Sequence, residues 1–206
     1  MPKFRRRKDA RPSEIVAAAF EVFAQKGFAA ARLDDIAARA GVSKGAVYLY
    51  FETKEDIFRA VVTQALAPNL EPVLAVLAAH PGPFAELVRG IGERLPVVLG
   101  AAPVGAVVKM VIGEARNFPE LARVWHDQLA AKAIGALTSA VAAAQARGEV
   151  RPGDPRSYAL SLMAPMLVGV IWRETFVPVG AEPFDLAALF RQHVEAVLHG
   201  MILEIA

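Results

Sequence analysis

Residues 33–54, LDDIAARAGVSKGAVYLYFETK, constrain the fold of this chain more than any other stretch. Apolar residues recur there at helical spacing, namely Leu33, Ile36, Ala37 and Ala40. That spacing predicts a short helix with one apolar face. Gly41 is placed to end it, because glycine takes the positive φ needed just past a helix end. Ser43 is a natural N-cap for a second short helix, since its hydroxyl can accept a backbone N–H.

Two helices joined by a tight glycine-containing turn form a helix-turn-helix, whose second helix lies in the major groove of DNA. We expect this second helix to run from Lys44 to about Tyr50, with Val47 pointing inward to hold the unit together. The candidate DNA-binding residues lie on this helix and on its flanks: Arg32, Ser43, Lys44, Gly45, Ala46, Tyr48, Leu49, Tyr50 and Lys54.

Each residue of this helix suits a different contact with DNA. Lys44 can reach a guanine edge or a phosphate, and the Ala46 methyl can touch a thymine methyl. Gly45 permits close backbone approach. The hydroxyls of Tyr48 and Tyr50 can reach phosphates while their rings pack on the groove wall.

Lys54 lies in the first turn of the following helix, where its charge is expected to add to the phosphate-binding surface. Leu49 on the groove-facing side is hard to explain without a partner. The alternative for a lysine here is plain solvation, and for Tyr50 and Phe51 it is a place in the core.

The stretch GFAAARLDDIAARAGVSKGAVYLYFETKEDIFRAVV, residues 27–62, resembles the N-terminal domain of TetR/AcrR-type transcriptional regulators. More loosely, VIGEARNFPELARVWHDQ, residues 111–128, resembles the ligand-binding domain of one branch of that family. The resemblance implies base contacts from the recognition helix and phosphate contacts from Tyr50 and Lys54. It also implies a homodimer whose second domain binds a small molecule and then releases the DNA.

One position departs from the family pattern. Family members usually carry threonine where this chain has Ala31, as the N-cap of the first helix of the motif and often as a phosphate contact. Loss of a capping hydroxyl costs about 1 kcal/mol. Arg32 can restore the phosphate contact as a charged donor, so we expect it to touch the DNA backbone.

Charge and composition narrow the class of protein. The net charge is only +2, but residues 1–60 hold 12 basic and 8 acidic side chains, a net of +4, so the remainder is −2. Residues 1–11 carry six of those basic side chains. A basic N-terminal region joined to a slightly acidic remainder suits a protein that binds a polyanion with its N-terminal end. For the first eight residues the alternative is a disordered solubilising tail. The absence of cysteine excludes disulfides and thiol chemistry.

The helical periodicity runs through the whole chain, without an alternating strand pattern. We therefore predict an all-α fold with an N-terminal three-helix helix-turn-helix domain at 9–69 and a helical effector-binding and dimerisation domain at 70–206. The apolar stripe of the first helix should pack on the helix-turn-helix pair. Prolines at 68, 72, 81 and 83 predict a loose region of short helical pieces between the domains.

Polar and adaptable residues within the apolar helices of the second domain are the candidate ligand contacts. Methionine and aromatic side chains line adaptable apolar pockets, and a few charged groups could anchor a mostly apolar small molecule. The candidates are Met110, Glu114, Arg116, Trp125, His126, Met163, Met166, Trp172, Arg173 and Phe176. For each of these the alternative is a plain core or surface role.

The last two predicted helices, about 155–176 and 184–204, have broad apolar faces. Two such helices from each of two chains can form a four-helix bundle with a twofold axis. The candidate interface residues are Leu160, Leu167, Leu189, Phe190, Val194 and Val197. A dimer would also let two recognition helices read two half-sites.

These features favour a ligand-released homodimeric repressor that binds a palindromic operator in double-stranded DNA. An enzyme is disfavoured, because the four histidines are scattered and no nucleophile triad or phosphate loop is present. A third class is an architectural DNA binder with weak sequence preference and steep salt dependence.

We expect no cofactor and no metal. Because no uncharged stretch reaches the length of a spanning helix and no signal peptide precedes the first helix, we also expect no membrane insertion and a cytoplasmic location.

Overall fold

The computed structural model describes residues 11–101 and 104–203, which are almost entirely helical. The basic residues between positions 3 and 8 lie outside the described part of the chain. The helices are α1 (Arg11–Ala30), α2 (Leu33–Ala40), α3 (Lys44–Tyr48), α4 (Lys54–Ala60), α5 (Ala67–Ala79), α6 (Phe84–Ala101), α7 (Val104–Glu114), α8 (Pro119–Trp125), α9 (Ala131–Ala146), α10 (Pro155–Thr175) and α11 (Leu186–Met201). No strand forms in the described residues beyond one bridge between Val150 and Ile202, so the all-α prediction is confirmed.

Local signals set the ends of the short N-terminal helices as the sequence predicts. Gly41 ends α2 with a left-handed φ of 66°, and the Ser43 hydroxyl caps α3 by accepting the Ala46 N–H at 3.2 Å. Thr53 and Asp56 cap α4 reciprocally. Each cap satisfies a backbone group that the helix itself cannot.

Aromatic packing holds α1 and α4 together. Phe23, Phe28 and Phe58 are fully buried, with ring centroids 5.4–6.1 Å apart. Phe118, just before α8, stacks edge-on against Phe28 at 5.0 Å. The apolar core of the N-terminal helices therefore continues into the second half of the chain, and it includes buried residues of α7 and α8.

Part of the expected loose region, residues 67–79, is instead the regular helix α5, whereas Pro81 and Pro83 lie in the break before α6 as expected. Pro68 occupies the first turn of α5, where its missing N–H is not needed. Pro72 lies inside α5 and removes one hydrogen bond, but the helix is kept by packing of its apolar stripe. That stripe has helical spacing, Leu70, Val73, Leu74 and Leu77, which the prolines hide in the sequence.

Helices α5, α6, α9, α10 and α11 pack around a second core, with α10 lying between α9 and α11. Two helical turns are widened to π geometry: Val61–Leu66, between α4 and α5, and His126–Ala130, between α8 and α9. Both wide turns lie where the N-terminal unit, helices α1 to α4, meets the helices of the second half. Their last residues, Leu66 and Ala130, line an apolar cavity among those helices. Wide turns of this kind are frequent at functional sites.

Two helical stretches, 119–146 and 155–179, are long and apolar enough to cross a membrane by length and composition. No uncharged stretch is that long, as expected, but a spanning helix tolerates a few charged residues, so length and composition alone do not exclude a span. Only 11% and 17% of their apolar windows are buried inside one chain. Much of this apolar surface is left for another partner.

Candidate DNA-binding surface and effector cavity

The recognition helix α3 stands on the surface and exposes large apolar side chains. Val47 is fully buried and fixes the helix to the core, as predicted. On the outer side Tyr48 is 50% exposed and Leu49, just past the helix end, is 79% exposed. A side chain added at Gly45 would meet nothing within 4 Å. The helix thus presents an open, partly apolar face with room for close backbone approach.

Ala46 is not part of this face. It is only 8% exposed, because it lies beside Val47 on the side of α3 that packs inward. Its expected contact with a thymine methyl is therefore wrong. Tyr50 is 37% exposed, so it is neither a core residue nor as open as Leu49.

Lys44 is exposed and pairs with Asp34 of α2 at 3.0 Å. The hydrogen bond that Lys44 donates to Asp34 raises the pKa of Lys44, so this side chain stays charged. An exposed pair of this kind contributes little to stability and can exchange its partner for a phosphate. Ser43 acts as the helix cap described above, which leaves its hydroxyl hydrogen free to donate outward.

The start of α2 differs from the expected cap. The N-cap is Arg32 and not Ala31, which is buried and packs in the core. The Asp35 carboxylate accepts the Arg32 backbone N–H at 3.2 Å and binds Lys26 at 2.8 Å. These bonds, that to Lys26 foremost, lower the pKa of Asp35. The Asp35 carboxylate thus supplies the N3 half of a capping box, and the Arg32 side chain stays on the surface.

Lys54 points inward and not toward DNA. Its ammonium donates to the carbonyl oxygens of Phe28, Ala29 and Ala31 at 2.6, 3.3 and 3.1 Å. It also lies 4.4 Å from the Phe28 ring centroid. An ammonium has three hydrogens to donate, and here each has a carbonyl acceptor. The expected phosphate contact of Lys54 is therefore wrong, because the end of α1 leaves carbonyl groups that need a donor.

Glu114 also has a structural partner instead of a ligand. Its two carboxylate oxygens accept the backbone N–H groups of Phe28 and Ala29 at 2.9 and 2.7 Å. It therefore joins the end of α7 to the last turn of α1, which follows a kink at Gly27. The prediction that Glu114 anchors a ligand is wrong on this geometry.

A cavity of about 460 Å³ lies at the centre of the second helical unit. Helices α5, α6, α7, α9, α10 and α11 line it, together with the wide turns that follow α4 and α8. Its walls are aliphatic, methionine and aromatic side chains, and none of the lining residues is charged. Three of the candidate ligand residues, Trp125, Met163 and Met166, are among its lining residues. Such a site suits the apolar part of a ligand.

The other candidate ligand residues lie elsewhere, because their helical faces point away from the cavity. Met110 is buried in the core shared with α1, and Arg116 is exposed after α7. His126 is exposed and pairs with Asp127 at 2.7 Å. A separate surface cluster holds the rest: Trp172 stacked on Phe176 and Phe184, and Arg173 bound to Glu174.

Most of the cavity wall was missed by sequence reasoning. Helix α5 supplies Leu70, Val73, Leu74 and Leu77, and the region around α9 supplies Leu129, Ala130, Ala133, Ile134 and Leu137. The apolar stripe at helical spacing was the available signal in α5. Polar residues within apolar helices were the wrong signal, because this cavity is bounded by apolar groups alone.

The candidate interface residues divide between cavity and surface. Phe190 and Val194 are 5% and 2% exposed, and both line the cavity. They are thus covered within one chain, and their assignment to a dimer interface is wrong. Leu160 and Leu167 of α10 line the cavity rim and stay about half exposed, whereas Leu189 and Val197 of α11 are partly buried.

Comparisons with known proteins agree with this geometry. A family model for bacterial regulatory proteins of the tetR family matches residues 15–61, and one for the tetracyclin repressor-like C-terminal domain matches residues 85–187. The chain is 32% identical over 100 residues to the HTH-type transcriptional regulator YfiR of Bacillus subtilis, covering 44% of this chain and 49% of that protein. It is 39% identical over 82 residues to the transcriptional repressor BepR of Brucella suis, covering 39% of each. It thus spans less than half the length of these two relatives.

The fold is also that of solved regulators. The crystal structure of FadR from Bacillus subtilis in complex with stearoyl-CoA superposes with a TM-score of 0.75 at 24% identity, covering 91% of this chain and 98% of that one. The DNA-binding fold and the helical effector fold are therefore both present in one chain. Since the C-terminal model alone matches half of the sequence and the N-terminal model matches the helix-turn-helix, this protein belongs to the TetR family of bacterial transcriptional regulators.

Proposed function

We propose that this chain is a homodimeric, cytoplasmic repressor that binds a palindromic operator through α3 and is released from it by a mostly apolar small molecule. The observation that carries the proposal is the pairing of an exposed recognition helix with an apolar cavity in one chain. Repression is supported by the relative BepR, which is named a repressor.

The DNA contacts are assigned to Arg32, Ser43, Lys44, Gly45 and the open face of Tyr48, Leu49 and Tyr50. Leu49 is the most exposed of these apolar side chains, and contact with a thymine methyl would cover it. Asp34 holds Lys44 in the absence of DNA, and a phosphate oxygen would take over that bond. Two copies of α3 reading half-sites about 34 Å apart would provide the affinity that a five-residue helix lacks.

Selection of sheared genomic DNA by the purified protein tests the regulator directly. We expect a few enriched palindromic sites, and we expect Tyr48→Ala to lose them because this ring lies on the reading face. Arg32→Ala is the matched comparison. If Arg32 contacts a phosphate, Arg32→Ala should weaken binding to all sequences alike and lower the salt slope by about one.

Diffuse recovery that ignores Tyr48 and fades with salt would instead identify a non-specific DNA binder. Unchanged affinity and salt slope in Arg32→Ala would remove Arg32 from the DNA-binding surface. Each variant therefore tests one class of contact.

The effector is assigned to the apolar cavity. With no charged lining residue, the cavity can bury an alkyl or aromatic group but would leave a buried charge unpaired. FadR of Bacillus subtilis, which shares the fold, was solved with stearoyl-CoA, so acyl-CoA is a reasonable first probe. Release requires that the effector bind the DNA-incompetent state more tightly, and DNA must then weaken effector binding equally.

Thermal denaturation with stearoyl-CoA, coenzyme A and choline tests this assignment. We expect stearoyl-CoA to raise the Tm and release the operator, because its alkyl chain can fill the cavity. A ligand present at about 100 times its Kd adds about 2.7 kcal/mol to stability. Coenzyme A alone and choline should do neither, since both lack an apolar group of that size.

Ala133→Trp fills the cavity from its α9 wall and should abolish the shift caused by stearoyl-CoA. If stearoyl-CoA and a panel of other hydrophobic compounds give no shift and no release, the cavity is not an effector site. An equal shift with coenzyme A alone would place the binding site outside the cavity.

A further inference from the structure

The short segment that joins the long part of α1 to α2, residues 28–31 beyond a kink at Gly27, is held from two opposite sides, and we call it the α1–α2 turn. On one side Glu114 accepts the Phe28 and Ala29 N–H groups, and on the other Lys54 donates to the carbonyls of Phe28, Ala29 and Ala31. Both side chains use charge-assisted hydrogen bonds, which are stronger than neutral ones. The turn leads directly into α2, so its position sets the entry of the helix-turn-helix.

Gly27 makes the approach of Glu114 possible. Its φ of 76° is left-handed, and a Cβ at this position would lie 2.7 Å from the Glu114 Oε1 atom. Only glycine combines that backbone conformation with that clearance. The turn is thus shaped to receive a carboxylate from the second half of the chain.

Helix α7 joins this carboxylate to the cavity. Val104 and Val108 line the cavity near the start of α7, and Glu114 is its last residue. An 11-residue helix is about 16 Å long and moves as one body. Val107, Met110 and Val111 pack in the core shared with α1, which keeps α7 against the N-terminal unit along its length.

We propose that Glu114 is a positioning residue that couples occupancy of the cavity to the position of the helix-turn-helix through the α1–α2 turn. An occupant that displaces the cavity end of α7 moves the carboxylate, loosens its hold on the Phe28 and Ala29 amides, and lets α2 and α3 leave their DNA-competent position. This inference rests on the proposed ligand-released repressor and names the device that would couple its two sites.

A second connection is too weak to carry this coupling. Arg59 of α4 pairs with Glu120 of α8 at 2.6 Å, but the two side chains are 51% and 35% exposed. Exposed ion pairs contribute little and are screened by salt. Glu120→Gln is therefore expected to leave the coupling intact.

Amide hydrogen exchange on the full-length protein tests the device without an identified ligand. Ala133→Trp serves as the occupant, and Ala133→Phe replaces it if the larger side chain does not fold. We expect exchange at Phe28 and Ala29 to rise at least tenfold on filling the cavity. In the Glu114→Gln variant, exchange at these two amides should already be high before the cavity is filled. Filling the cavity should then change that exchange less than twofold.

Operator affinity provides the second readout. Filling the cavity should weaken binding to a selected site at least tenfold in the wild type and less than twofold in the Glu114→Gln background. The matched control is Glu149→Gln, which removes a carboxylate that accepts the Phe84 N–H at 2.6 Å inside the second unit. This control should keep the full tenfold response.

The outcomes separate this proposal from the proposed function. The role of Glu114 is overturned if exchange at Phe28 and Ala29 does not change when the cavity is filled. It is also overturned if the affinity response persists in Glu114→Gln. Loss of coupling in Glu120→Gln instead would transfer the role to the Arg59 pair. Failure to select any specific DNA, with the exchange response present, would overturn the repressor and leave the link between cavity and turn standing.

Discussion

Replacing Lys54 with methionine is expected to lower the free energy of unfolding by about 2 kcal/mol, the usual contribution of hydrogen bonds to a charged group. The variant would leave the carbonyls of Phe28, Ala29 and Ala31 without their donor. For a chain of this size the Tm should fall by about 4–8 °C. Because the turn before α2 loosens, specific operator binding should also be lost at the growth temperature.

Lys44→Met is the matched control for this experiment. Lys44 is exposed and its only described bond is to Asp34 on the surface, so its loss should leave the Tm unchanged. It should weaken DNA binding through the loss of one charge near the groove. Thermal denaturation and salt-dependent DNA titration of both variants would separate the two roles. A Lys54→Met protein with an unchanged Tm and a reduced salt slope would restore Lys54 as a phosphate contact.

The parts of the fold that local chemistry determines were predictable from the sequence. Gly41 and Ser43 act within a few residues of themselves, through a left-handed φ and a hydroxyl cap. Val47 is buried because the spacing of apolar residues fixes the inward side of α3. For the same reason the all-α class and the helix-turn-helix follow from the pattern of residues 33–54.

Roles that depend on distant partners were not predictable. Lys54 and Glu114 are charged residues on helices, and nothing near them in the sequence shows that the backbone at 28–31 needs a donor and an acceptor. Glu114 lies 86 positions from Phe28, so only the tertiary fold brings them together. Charged residues in a DNA-binding family invite assignment to DNA or ligand, and here two of them bind the protein's own backbone.

The residues that line the cavity were not predictable for a different reason. Helix α10 is apolar on nearly every side, so its sequence does not separate the face that lines the cavity from the face that meets another chain. Leu162 and Val170 are buried in the bundle, whereas Leu167 and Val168, between them in the sequence, stay exposed. Only the packing of α9 and α11 on either side of α10 resolves these faces.

The exposed face of α10 leads to the prediction with the largest expected effect on assembly. Leu160, Leu167 and Val168 are 45%, 47% and 61% exposed in one chain. We propose that a second copy covers them, since α10 and α11 can form a four-helix bundle with their own twofold copies. This arrangement would also cover the Leu160 and Leu167 rim of the cavity.

The double variant Leu167→Glu/Val168→Glu is expected to be a monomer, because the dimer would bury carboxylates without partners. Loss of the second recognition helix should weaken operator binding by about 100-fold or more, the usual gain from linking two binding units. Sedimentation equilibrium and operator titration would measure both effects. Ile112→Glu is the matched control: Ile112 is 55% exposed and apolar but lies on α7, so this variant should remain a dimer. A monomeric wild type would overturn the interface, and co-flotation of the wild type with lipid vesicles would assign the α10 face to a membrane.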